Sequence, residues 1–454
     1  MELLPESAGA TGADTLLHIL SGSFRSISLA LLAFYPLNRT LEHVKTVPAF
    51  GPHQYLALNP GKPDVVYTTS WADPPILSSW SLLRSEHGHG TLVQDVKHLN
   101  TVKIIQSLIV DAAATSSYIS VPPPYGFVYS TGGPTGEVHT LAPDGSFGEK
   151  IQQYLFVPED ELETTDKTPV ALRYGSHGVE FSSSGYGFIP VLGTSTIEMY
   201  RRDSSTGRLD HVFSSPSPRG SESHDGPRHV KVHPNGKILY CLTEHNNLLD
   251  VYEINSTQGS LTHLTSHSIL PLHINPGGTD DPKFRGDTLM LTPPNEAFPA
   301  PVAIFTTTRG STSETRGWMS VFRLDKDGHV QESTPGGPAE EHEGRQKEEV
   351  TEAGVLRFET PTSGGRANAL DIKLKSGKEG GYWILLTDDD QQADRVGAVR
   401  VLEWDGWGDG GEGKPSDLRV VAEWPKDGYR REDETPGREE EQDFKGASHA
   451  IWLD

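Results

Sequence analysis

Hydrophobic residues along this chain come in short runs that alternate with polar ones, and the runs are separated by turns rich in Gly, Pro and Asn. Residues 226–254, GPRHVKVHPNGKILYCLTEHNNLLDVYEI, are typical: three short segments with period-two alternation, joined by a PNG turn and an HNN turn. Alternation of this kind marks β-strands, and the turn residues mark where the chain reverses. The same order recurs in GPHQYLALNPGKPDVVYTTS (51–70) and GSHGVEFSSSGYGFIPVLGTSTIEMYRRD (175–203). It recurs again in 284–310 followed by 317–328, and in 364–390 followed by 397–406. A weaker copy spans 102–145, with its first strand read at VKIIQSLIVDA. Helical periodicity is nearly absent.

These six units of several strands each predict a β-propeller. The two ends of the chain complete the count. LLHILSGS near the N-terminus has the pattern of a second strand, and GASHAIWLD (446–454) that of a first strand. The predicted fold is therefore all-β, a seven-bladed β-propeller closed by pairing of the N- and C-terminal strands, which leaves no free sheet edge. Residues 1–14 are expected to be a flexible N-terminus and 15–454 a single propeller domain, with acidic loop insertions near 331–350 and 426–443.

Composition narrows the partners. The formal charge of −23 argues against nucleic acid or an anionic membrane surface. Much of it is local, with six acids in 340–352 and eight in 427–443. An anionic ligand would need a locally basic pocket. The single cysteine, Cys241, rules out an internal disulfide and a thiolate zinc cluster, and suits a reducing, cytoplasmic setting. Residues 15–35 are broken by His18, Ser21, Gly22, Ser23 and Arg25, so they fall short of the roughly 20 apolar residues a membrane span requires. Self-association into a homo-oligomer is left open.

Propeller geometry then picks out candidate chemistry. The first strand of each blade lies nearest the axis and the second runs back beside it. The start of the first strand and the end of the second therefore share one mouth of the channel. Alignment of the units on their turns places Gln54, His177, Arg228, Asp287, Asn368 and His449 at first-strand starts, and Glu244, Arg309 and Asp388 at second-strand ends. A lone polar residue at such a position is commonly a solvated rim residue. Two arginines with a histidine and a glutamate on one mouth suggest more, because guanidinium forks bind carboxylates and the other two groups can exchange protons. The set suits a small anionic substrate, a polycarboxylate in particular.

At these residues the chain resembles the lactonase-like seven-bladed propeller family, and within it the fungal branch that lactonises carboxymuconate. The likeness is carried by PPPYGFVYSTG, GSHGVEFS, GPRHVKVHPNGKILYCLTEHNN, FTTTRG, TPTSGGRANA, LLTDDD and HAIWLD. It implies a cycloisomerase of aromatic catabolism, in the β-ketoadipate pathway, that uses no metal and no cofactor. It also implies His177, Arg228, Glu244 and Arg309 as catalytic residues, with Asn368 and His449 expected to touch substrate. In this reading the arginines hold carboxylates and stabilise developing charge. Glu244 pairs with Arg228 as a positioning group, and His177, whose ordinary pKa lies near neutrality, supplies the proton. Longer acidic loops and a longer connection at 158–174 depart from the family pattern. Lactone hydrolysis of the 6-phosphogluconolactonase type at the same mouth, and a non-catalytic binding propeller, remain alternatives, since the fold hosts many functions.

Other motifs carry less. GDGGEGKP (408–415) approaches a phosphate loop, but Pro415 stands where Ser or Thr is required and no helix follows. HVKVH (229–233) and HGH (87–89) have no helical frame or third ligand for a metal.

Overall fold

The computed structural model describes residues 16–71, 74–87, 90–103, 115–220, 222–274, 282–331, 354–378, 380–390, 397–408, 415–426 and 444–454. They form seven four-stranded antiparallel sheets, each in meander order from the axis outward. In the first blade the innermost strand is Ala450–Trp452, followed outward by Leu17–Ser21, Ser28–Tyr35 and Thr40–Pro48. Its register pairs Ile19 with Trp452, Leu20 with Ile451 and Ser21 with Ala450. The expected closure by N- and C-terminal strands is thus present. Among the described residues, two 3₁₀ turns, Glu159–Glu161 and Pro169–Arg173, fall in the long 158–174 connection. No helix there is long and apolar enough to cross a membrane.

The strand patterns follow from how blades stack. Second and third strands are covered on both faces by neighbouring blades. Tyr186–Val191, Ile238–Thr243 and Ala398–Trp404 are buried at every position. Outer strands face solvent, as in Ser260–Ser268, where the middle is exposed. Seven hydrophobic clusters result, one at each blade–blade contact. The contact between blades seven and one joins Trp383, Leu385 and Val399 to Ile19, Leu32, Phe34 and Trp452.

One strand assignment changes. The inner strand of the third blade is Ser116–Ser120, not 102–112. Val102 and Lys103 instead pair with Leu77 and Ile76 at the end of the second blade's outermost strand, and residues 104–114 lie outside the described set. The segment SSYIS is short and polar, so its hydrophobic signal is weaker than that of the run before it. Residues 1–14 and almost all of the two acidic runs also lie outside the described residues.

Candidate active site at the channel mouth

Three inner strands carry a bulge at the same end, between Ser116 and Tyr118, Pro227 and His229, and Gly286 and Leu289. A bulge makes two residues oppose one and re-aims the side chains. Here it lets Arg228 and His229, and likewise Asp287 and Thr288, face one solvent-connected cavity. Gly286 is required for this approach, since a Cβ there would lie 2.2 Å from the Thr243 carbonyl oxygen.

Arg228 is 7 % exposed and spends its whole fork on two carboxylates. Nη1 donates to Glu244 Oε2 at 2.6 Å and Nη2 to Asp287 Oδ1 at 2.9 Å, while Nε donates to the Asp287 carbonyl at 2.9 Å. Arg309 closes the ring. Its Nη2 reaches Glu244 Oε1 at 3.4 Å and its Nη1 donates to the Arg366 carbonyl at 3.1 Å. Arg309 Nε lies 3.0 Å from Asp287 Oδ1, close enough for an ion pair, although its N–H is not aligned for a hydrogen bond. Two guanidiniums and two carboxylates therefore balance. Burial alone would raise the Glu244 pKa, but Arg228 and Arg309 together hold it down to about 2, so it is ionised at neutral pH.

His177 lines the cavity beside Gln54, whose amide nitrogen is 3.5 Å from His177 Nδ1. The 3₁₀ turn Pro169–Arg173 in the long connection places the Leu172 carbonyl 2.9 Å from His177 Nε2. That contact fixes the tautomer, with the proton on Nε2 and the lone pair on Nδ1. Burial first, and the Arg228 charge second, lower the imidazole pKa to about 3. The free protein thus holds His177 neutral, with its one N–H committed to a backbone carbonyl. This corrects the expectation of a proton donor poised near neutrality. A titration of the His177 ring Cε1–H resonance should show no change from pH 8 down to pH 5; an inflection near 6.5 would mean that the imidazole is not desolvated as described.

The remaining expected residues separate. His449 lines the cavity, stacks on Tyr55 at 4.2 Å between ring centroids, and accepts a hydrogen bond on Nδ1 from the Leu56 amide at 3.3 Å. Asn368, expected to touch substrate, does not face the cavity. Its side-chain amide donates to the Thr308 carbonyl at 2.8 Å, and its backbone N–H donates to Asp287 Oδ2 at 2.8 Å. It orients Asp287 instead. Asp388 turns into its own blade and pairs with Arg400 at 2.7 Å.

Sequence reading singled out His449 but none of the other rings of the aromatic floor. Tyr55, Tyr118, His229 and His449 lie below the charged mouth. Tyr55 and Tyr118 stack at 4.1 Å, and His229 meets Tyr118 edge-on. Burial pushes both phenol pKa values well up and the His229 value well down, leaving all three neutral. Beneath Tyr118, its hydroxyl donates to Glu180 at 2.6 Å and accepts from Lys231 at 3.0 Å, and Lys231 pairs with Glu180. The available signal was a tyrosine between polar and aliphatic neighbours in two short segments, QYL (54–56) and SYI (117–119).

Comparison with known proteins gives this mouth a context. Residues 25–280 match the family described as lactonase, 7-bladed beta-propeller. Muconate cycloisomerase 1 of Cutaneotrichosporon cutaneum is 28 % identical over 404 residues, covering 86 % of this chain and 91 % of that protein. Carboxy-cis,cis-muconate cyclase of Neurospora crassa is 26 % identical over 278 residues, 59 % of this chain and 60 % of that one. A 6-phosphogluconolactonase of Pectobacterium carotovorum is 24 % identical over 241 residues, 52 % and 62 % of the two chains. With seven blades in a ring and more than half of its length matched by the family's profile, the chain belongs to the lactonase family of seven-bladed β-propellers.

Proposed function

We propose that the protein is a cycloisomerase that closes an unsaturated polycarboxylate of the 3-carboxy-cis,cis-muconate type to its lactone. The observation that carries this reading is the buried Arg228 fork, held between Glu244 and Asp287 at the edge of a cavity with an aromatic floor. The similarity to a muconate cycloisomerase over most of both chains supports it.

In the reaction one carboxylate oxygen bonds to the γ-carbon of the diene. The π-electron pair moves to the carbon α to the other carboxylate, as an enolate, and a proton then adds at that carbon. Arg228 and Arg309, fixed before substrate arrives, stabilise the enolate charge without reorganising. The planar diene lies against the neutral rings of Tyr55 and Tyr118. His177 acquires its role on binding: substrate carboxylates bring negative charge to the cavity it lines and raise its pKa. Its Nδ1, the nitrogen not tied to Leu172, then takes a proton from solvent and passes it to the α-carbon.

Lactone hydrolysis is the second reading, favoured by the similarity to a 6-phosphogluconolactonase. Against it, a Glu244 carboxylate held at a pKa of about 2 is a weak base for activating water. Proton stoichiometry separates the two. Cyclisation converts a carboxylate to an ester and protonates carbon, so it consumes a proton. Hydrolysis regenerates a carboxylate and releases one. Purified protein given 3-carboxymuconate, cis,cis-muconate or 6-phosphogluconolactone in weak buffer should bleach diene absorbance with base formation. Acid release from the lactone, with the dienes untouched, would overturn the proposal.

A further inference from the structure

The signature arginines are both spent on carboxylates. Arg228 and Arg309 face Glu244 and Asp287, so an incoming polyanion meets a balanced cluster rather than a positive one. Of the residues that line the cavity, Arg228, Asp287 and Arg366 carry formal charge, because the three histidines there are held neutral. Arg366 differs from the other two. It is exposed, and among the described residues it has no carboxylate within ion-pair distance, though its charge acts on the buried Asp389.

Its placement is built into the fold. Ser363, Gly364 and Gly365 make a tight turn between blades six and seven, with φ of 81° and 63° at the two glycines. A Cβ on Gly365 would lie 2.6 Å from the Asp389 backbone carbon, and one on Gly364 would lie 2.4 Å from the Asn368 side chain. Only glycine permits this approach. The turn is tied down at several points. The Asp389 amide donates to the Gly364 carbonyl at 3.0 Å, the Gly310 amide to the Ser363 carbonyl at 2.9 Å, and Arg309 Nη1 to the Arg366 carbonyl. Arg366 therefore lines the cavity from a pinned backbone. The nearby acid, Asp389, is paired with Arg25 at 3.2 Å and lies within reach of the Arg366 charge without a close ion pair to it.

We propose that Arg366 is the substrate-docking residue: it takes the carboxylate of the polyanion that does not react and sets which end of the diene faces Arg228. This rests on the cycloisomerase reading for its catalytic meaning, but the binding claim stands by itself. Arg366 supplies a charge-assisted, two-pronged contact made equally in ground and transition states, so its loss should appear in KM rather than kcat.

The test compares wild type, Arg366→Gln and Arg366→Lys. Calorimetric binding of tricarballylate, a stable tricarboxylate that cannot cyclise, should weaken roughly 10- to 100-fold in Arg366→Gln. Arg366→Lys should recover part of it, with Tm unchanged in both. With 3-carboxymuconate, KM should rise by a similar factor while kcat stays within about threefold. Loss of the charge should also flatten the dependence of kcat/KM on salt. Unchanged tricarballylate affinity in Arg366→Gln, or no binding by wild type at millimolar probe, overturns the docking role. Arg366-dependent binding without cyclisation of any muconate would refute the cycloisomerase reading and leave this one standing. Turnover with an unchanged KM in Arg366→Gln would refute the docking role alone.

Discussion

Deleting residues 446–454 will leave a protein that no longer melts cooperatively. The segment supplies the innermost strand of the first blade, Ala450–Trp452, and every residue from 447 to 453 is buried. Ile451 fills the contact between blades one and two, and Trp452 fills that between seven and one beside Phe34. Burying Ile451, Trp452 and Leu453 is worth roughly 1.5–3 kcal/mol each. A domain's net stability is only about 5–15 kcal/mol. The loss goes beyond side chains. The segment also bonds within its own blade, Ser448 N–H to the Gly22 carbonyl at 3.0 Å, and to blade seven, Ala447 N–H to the Asp388 carbonyl at 2.9 Å. Removing it opens the Leu17–Ser21 edge toward the channel. Circular dichroism melting and size-exclusion chromatography of the truncated chain are the measurements. A melt that superimposes on that of the full chain would mean that the ring does not depend on this closure.

Arg228→Met should cost both activity and stability. Met has the length of the arginine stem but no charge, so Glu244 and Asp287 would be left with Arg309 alone. Breaking a buried charge network from one side typically destabilises by roughly 3–5 kcal/mol. The deficit has a definite pH dependence. Glu244 in the wild type has its pKa depressed from 4.5 to about 2, so its contribution to stability is fully present above about 4.5 and is lost as pH falls toward 2. The gap between variant and wild type should therefore be widest near neutrality and narrow below pH 4.5. In catalysis the lost donor acts where charge develops, so kcat and kcat/KM should fall together, by roughly 10²–10³-fold. Arg228→Lys keeps a charge but cannot span both carboxylates, and should restore folding further than it restores rate. Denaturant melts from pH 4 to 8 and steady-state rates on the folded variants test this. If both variants turn over 3-carboxymuconate like the wild type, the Arg228 cluster is not the reaction centre.

The sequence by itself determined the ring. Alternating runs, turn residues and the match of GASHAIWLD to a first strand are local signals. Blade architecture follows from them because each sheet is a meander of neighbours in the chain, and stacking then buries second and third strands on both faces. For the same reason, aligning the units brings His177, Arg228, Glu244 and Arg309 toward one mouth. One local signal misled: the apolar run at 102–112 outweighed the short, polar SSYIS that forms the inner strand.

The tertiary structure decided what those groups are. Whether an arginine is free or spent depends on a partner in another blade. Asp287, 59 positions along the chain from Arg228, neutralises the cluster and does so from a bulge that no periodicity reveals. His177 has an ordinary pKa in sequence and a value of about 3 in place, because burial, the Arg228 charge and the Leu172 carbonyl of an irregular connection all converge on one ring. Asn368 turned out to orient Asp287, and Arg366, in a turn with no strand pattern to mark it, lines the cavity. Strand patterns are set by neighbours in the chain, whereas charge, tautomer and pairing are set by distances of a few ångströms between residues remote along it.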